Sequence, residues 1–231
     1  MASVYKIRRT VIVIIALITV TVTLLTHPDL QQPITQTPPP NVVASGSAAD
    51  SLAQLPVKGR APKTGYERTQ FGDGWAEING CDTRNRILNR DLVDAAANEK
   101  CQVVSGVLHD PYTGKDIAFS RGETSSQSVQ IDHVVALSNA WQTGAQALSK
   151  DQRIQLANDP LELLAVDGPA NQEKSDGDAA TWLPSNKAFR CQYVARQIAV
   201  KAKYRLWVTV AEKDAMTRVL SVCPGQKLPS E

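Results

Sequence analysis

The chain has 231 residues, 42% of them hydrophobic and 21% charged, enough for one sizeable packed domain with tails. Its formal net charge of +2 excludes the strongly cationic balance that marks some nucleic-acid binders by charge alone. Aromatic residues make up only 5%, so the composition holds no ring-rich platform for stacking bases.

In chain order, Lys6, Arg8 and Arg9 precede the uncharged stretch "VIVIIALITVTVTLL", the n-region and h-region pattern of an export signal. Thr10 to Thr26 counts seventeen positions, the lower limit for a spanning helix, and the nearest small-residue cluster, "ASGSAA", comes at Ala44 to Ala49. Residues 1–26 therefore read as a signal peptide or an uncleaved membrane anchor, and the positive-inside tendency leaves the rest of the chain outside the cytoplasm. Residues 27–63 are dominated by Pro, Gln, Thr, Ser and Ala. Such a stretch buries too little apolar surface to offset its chain entropy, so a disordered linker is expected there. The folded domain is expected over residues 64–226, with a tail at 227–231.

All four cysteines, Cys81, Cys101, Cys191 and Cys223, lie in that domain and none forms a C-x-x-C pair. Of the three possible pairings, sequence-local closure favours Cys81 with Cys101 and Cys191 with Cys223, each worth roughly 3–4 kcal/mol in the chain-entropy model. An oxidising compartment favours disulfides over reduced thiols or a zinc site.

"NRILNRDLVDAAANE", Asn85 to Glu99, has helical spacing, while "CQVVSGVL" and "DIAFSRG" read as strands joined by the turn "DPYTG". "SVQIDHVVAL" alternates, with Val129 and Ile131 on one strand face and Gln130 and Asp132 on the other. "ELLAV" is a second short strand, "DGP" a turn, and "ANQEKSDGDAATW" opens a helix that includes Asn171, Lys174 and Asp176. Asp176 and Asp178 read as caps or dipole partners rather than ligands. A longer helix starts near Ser185 with Cys191, Val194, Ala195, Ile198 and Ala202 as its apolar stripe. Lys187, Arg190, Lys201 and Arg205 form a basic edge beside that stripe, either a solvated face or a phosphate contact. Thr209 and Glu212 form the capping box of a last helix that runs to the vicinity of Cys223.

Two strands packed on one helix would bring an amide at the helix start to face the strand end bearing Asp132 and His133. A lone histidine at a strand end is more often structural than catalytic. His27 in the linker and His109 in a turn need no catalytic account.

"DH" at Asp132 and His133, followed by "NQEK" from Asn171 to Lys174, resembles the HNH endonucleases, the ββα-metal nucleases. From Asn79 to Cys223, "IDHVVAL", "LLAVDGPANQ", "GDAATWLPSNK" and "CQYVARQIAVKAKY" resemble the exported actinobacterial branch related to the nuclease half of GmrSD-type restriction enzymes. The resemblance implies an α+β fold, with a ββα-metal motif inside a disulfide-braced domain that has long C-terminal helices. It implies an exported endonuclease hydrolysing phosphodiester bonds, of DNA ahead of RNA, with His133 as general base. Asp132 and Asn171 would hold one divalent ion, Mg²⁺ or Mn²⁺, whose hardness suits oxygen ligands.

Glu162, nine positions before Asn171, stands where the family commonly has Asn and is expected to brace the loop that orients His133, with Asn158 as a substitute donor. Lys174, Arg84 and Arg190 are candidate substrate contacts, and an imidazole of ordinary pKa predicts loss of cleavage below about pH 6. Nucleic acid is the expected partner, with the membrane added if the N-terminal segment is uncleaved; no protein partner is evident. The same residues also fit a catalytically degenerate binding or surface-interaction module, an RNA-directed nuclease, or a plain disulfide-braced extracellular domain.

Overall fold

The computed structural model describes residues 46–122 and 127–229. The segment expected to be a signal or anchor lies outside the described residues, among which no helix is long and apolar enough to cross a membrane. The described helices are α1 (Ala48–Gln54), α2 (Thr83–Asp91), α3 (Leu137–Gln142), α4 (Lys150–Ala157), α5 (Gly168–Lys174), α6 (Arg190–Lys203) and α7 (Val210–Leu220). The strands are β1 (Glu77–Ile78), β2 (Cys81–Asp82), β3 (Leu92–Ala97), β4 (Val103–His109), β5 (Asp116–Ser120), β6 (Val129–His133) and β7 (Leu163–Asp167). They form three separate antiparallel sheets, β1-β2, β3-β4-β5 and β6-β7. The fold is thus the expected mixture of helices and strands, with two disulfides and its longer helices near the C-terminus.

The β6-β7 ladder separates two apolar cores. Val129 and Ile131 of β6, with Leu163 and Ala165 of β7, pack into a core shared with α2 and the three-stranded sheet. Leu164 and Val166 face the opposite way, into the larger core built with α6 and α7. Both faces of this strand pair are therefore covered, and its period-two alternation sorts side chains between two interiors instead of between core and water.

Three local expectations change. Part of the stretch read as linker is folded. Ser47 caps α1 through a capping box with Asp50, and Ala48, Leu52 and Leu55 are buried in the larger core. Beyond α1 the backbone is tied down by Val208 N–H to Pro56 O (3.0 Å), Lys58 N–H to Val208 O (3.0 Å) and Ala61 N–H to Gln142 O (2.8 Å). The Pro-rich composition misled because only three apolar side chains do the anchoring.

The helix expected over 85–99 ends at Asp91, and Leu92–Ala97 pairs as a strand with β4. Ile87 and Leu88 are indeed buried on the helix, but the alanines that extended its apparent period belong to the sheet edge. The basic edge also dissolves. Lys201 is buried, its Nζ donating to Glu212 Oε2 (3.1 Å) and Trp207 O (3.0 Å), while Arg205 lies beyond the end of α6.

Other expectations match. The β4-β5 hairpin forms around the "DPYTG" turn, and Thr209 and Glu212 make their capping box. Cys81 pairs with Cys101 and Cys191 with Cys223, at Cα separations of 5.4 and 6.5 Å.

Leu52→Ala should lower the unfolding free energy of the oxidised chain by about 2–5 kcal/mol in urea titrations, the usual cost of truncating a buried leucine. A change within about 0.5 kcal/mol, as at an exposed site, would return residues 46–63 to the linker.

Candidate functional site

Neighbouring residues on a strand point to opposite faces, and this separates the two residues of the Asp-His pair. Asp132 turns toward the larger core, where both of its oxygens are engaged. Lys174 Nζ donates to Oδ1 (2.9 Å), and the buried Tyr112 hydroxyl donates to Oδ2. Lys174 Nζ also reaches the carbonyl of His133 (2.8 Å), and its side chain is 0% exposed. Burial pushes the Asp132 carboxyl up, opposed by the lysine charge and the tyrosine hydrogen bond.

The local sequence explains where Lys174 lies. Asp167 ends β7 and caps α5, its carboxylate accepting from Ala170 N–H (2.8 Å), and Pro169 suits the first turn. Two turns later the helix ends at Lys174, directly beneath the end of β6.

His133 turns toward the other core. Its ring stacks on Trp75 with centroids 5.7 Å apart and planes 7° apart, and Nε2 lies 3.0 Å from the carbonyl oxygen of Ala157. A carbonyl only accepts, so Nε2 carries the proton and Nδ1 is left as the basic nitrogen of a neutral imidazole. Burial lowers the pKa of His133 to about 3, helped by the positive charges of Arg68 and Lys174. The acid limit near pH 6, expected for an ordinary imidazole, does not apply to this buried ring.

Trp75 and Tyr112 were missed because each reaches the site from a distant loop. The signal available was a glycine-flanked tryptophan in "FGDGW": Gly72, at φ +106°, helps to turn that loop. Asn158 does not substitute at Glu162. Its Oδ1 accepts from Ala76 N–H (2.8 Å), so it steadies the loop that carries Trp75.

Glu162 is fully buried, with Oε2 accepting from Val135 N–H at 3.2 Å just beyond His133, while Oε1 has no hydrogen-bond partner. Burial, with the negative charges of Asp132 and Asp159, holds its carboxyl well above the usual range. The remaining candidates do not converge on Asp132. Asn171 Nδ2 donates to Gln130 Oε1 (2.9 Å). Arg84 reaches the carbonyl of Val129, and Arg190 Nε donates to Pro184 O (2.7 Å). Asp176 and Asp178 lie beyond α5 and pair with Lys63 and Arg60 instead of capping it. A cavity of about 630 Å³ is walled by residues including Arg90, Arg196 and Phe189, but not by Asp132, His133, Glu162 or Asn171.

The expected divalent ion does not fit this arrangement. Lys174 already holds the cation position between Asp132 Oδ1 and a backbone carbonyl, and Asn171 is turned to Gln130. Among the described residues no group of three or more His, Cys, Asp and Glu is placed to hold a metal ion.

These features define a disulfide-braced α+β domain in which two short strands and a helix bury an Asp-His pair. The chain belongs to the family described as the C-terminal domain of GmrSD restriction endonucleases, whose model matches residues 73–219, the Trp75 loop included. An uncharacterized secreted protein of Arthroderma benhamiae is 38% identical over 188 residues, which cover 80% of this chain and 89% of that protein.

A carboxyl whose pKa is raised by folding holds a proton that the unfolded chain releases near pH 4.5, so Glu162 opposes folding increasingly as pH rises above that value. Glu162→Gln keeps the shape of the protonated acid and does not titrate. The stability of this variant relative to wild type should therefore rise between pH 5 and pH 8 in urea titrations. A difference that stays constant with pH would show that Glu162 ionises in the folded protein as it does in water.

Proposed function

We propose that this protein is an exported nuclease that hydrolyses phosphodiester bonds of DNA at the β6 strand end, with His133 taking the proton from the attacking water. The family supports the reaction class, the restriction endonucleases in its description support DNA, and the secreted relative supports export. The geometric observation that carries the reading is the fixed imidazole. Its Nε2 proton is held by Ala157 O and its charge is suppressed by burial, so Nδ1 is an unprotonated base at every physiological pH.

A pKa of about 3 makes a weak base, and the approach of substrate corrects this in the required direction. A phosphodiester brings negative charge to a ring whose basicity is lowered partly by Arg68. Pairing of that arginine with a phosphate oxygen would favour the imidazolium that proton transfer creates. Arg68 is exposed and free to make such a contact, whereas Arg84 and Arg190 are turned to backbone carbonyls. Glu162 acts through the loop. Its acceptor fixes Val135 N–H and so the turn that follows His133. No step here is routed through a metal ion.

A supercoiled-plasmid nicking assay on the oxidised full chain, run with Mn²⁺, with Mg²⁺ and with a chelator, tests the reading. His133→Ala should cleave about 10²-fold more slowly while binding DNA as before, because phosphate contacts lie elsewhere. Its melting transition must stay cooperative. Cleavage by the variant at the wild-type rate would make His133 a core side chain. Cleavage of RNA but not DNA would redirect the substrate, and inactivity of the wild type on both would leave a binding module.

A further inference from the structure

We infer that Lys174 is an internal competitor of divalent cations at Asp132, so that the resting protein keeps this carboxylate closed to metal with its own ammonium group. The inference rests on the reading of the β6 strand end, which carries Asp132, as the site of a nuclease. Lys174 Nζ lies 2.9 Å from Asp132 Oδ1 and 2.8 Å from His133 O, a carboxylate and a carbonyl, the oxygen types that a hard divalent ion takes as ligands. The two cations exclude each other. An ion on Oδ1 would stand within a few ångströms of the ammonium, in an interior where like charges are poorly screened.

The rest of the surroundings fits a site with its cation already in place. Oδ2 is satisfied by Tyr112, and Asn171, one turn before Lys174 on α5, donates its amide to Gln130 and leaves its own oxygen uncommitted. Glu162 stands close enough to Asp132 and Asp159 for their negative charges to help keep its own carboxyl protonated, so the carboxylate charge facing the ammonium is that of Asp132. Emptied of the lysine charge, the pocket would offer a cation Asp132 Oδ1 and the His133 carbonyl oxygen, the two acceptors that now share one ammonium. The lysine has a flexible four-carbon stem, so its head can leave while α5 stays in place.

Mn²⁺ binding to the oxidised full chain, measured by loss of the free-ion EPR signal without nucleic acid, tests this directly. Lys174→Gln retains an amide that can donate to Asp132 and His133 O but removes the charge, and Lys174→Met removes both. Each should bind Mn²⁺ at least about 10-fold more tightly than wild type, and MnCl₂ should raise the melting temperature of the variants more than that of wild type. Adding Asp132→Asn to Lys174→Gln should abolish the gain.

Equal affinities in wild type and variants, a gain that survives Asp132→Asn, or micromolar binding by wild type through Asp132 would each overturn the inference. A Lys174→Met protein that folds only with Mn²⁺ present would support it. One that does not fold even with Mn²⁺, beside a folded Lys174→Gln that binds no more tightly, would show the lysine to be purely structural. Because no nucleic acid is present, failure here is distinct from failure of the nuclease reading, which the plasmid assay decides.

Discussion

The fold around β6 is organised by one electrostatic demand, the burial of the Asp132 carboxylate among aromatic rings. Tyr112 packs edge-on against Tyr193 at 5.6 Å and beside Trp182 at 5.0 Å, so the carboxylate sits in an environment that stabilises charge poorly. An ion taken from water into such a place costs several kcal/mol even after relaxation, and only a well-placed counter-charge with further hydrogen bonds offsets this. Lys174 and Tyr112 are those partners. Their demand extends to secondary structure, because α5 has only seven residues and such a helix is marginal by itself. It is held at one end by the Asp167 cap and at the other by a lysine that must reach Asp132 and the end of β6. The β7-α5 turn and the aromatic cluster therefore serve the same carboxylate.

His133, one residue on, belongs to a different environment, and the strand pair makes this division possible. With a core on each face, β6 can place an anion on one side and a neutral base on the other without their neutralising each other. The imidazole stays uncharged by burial, while its orientation comes from a ring stacked on it and a carbonyl bonded to its far nitrogen. Glu162 shares that logic. A buried acid in the protonated state is a neutral brace, so Glu162 can accept from Val135 N–H without leaving a charge in the interior.

How much of this could be read from residues alone depended on sequence distance. The alternation in "SVQIDHVV" yielded β6 and its two faces, the turn "DGP" yielded the start of α5, and Thr209 with Glu212 yielded the start of α7, because each is a local pattern. The cysteine pairing was legible for the same reason, since each partner is the nearest along the chain. What failed was non-local. Lys201 looks like an exposed basic residue until Glu212, eleven residues later, is seen to fold back onto it. Lys174 read as a phosphate contact because nothing in "NQEK" shows that its ammonium reaches back to the end of β6. Trp75 and Tyr112 come to the site from 58 and 20 residues before His133 and Asp132, and no periodicity registers such an approach. The Pro-rich stretch before residue 63 failed for another reason. Composition measures average burial, and three well-placed side chains are enough to order a segment.

The Cys191–Cys223 bridge joins the first turn of α6 to the end of α7, closing the helical hairpin around the Tyr204–Thr209 connection. A protease that cut this connection would sever the chain without releasing either helix. The two pieces would remain covalently joined, with Val194, Ile198 and Met216 held near their buried positions, ready to re-form the core. Under oxidising conditions, a break at Arg205, the exposed residue of a connection whose Leu206 and Val208 are buried, is thereby converted from loss of a helix into a repairable opening.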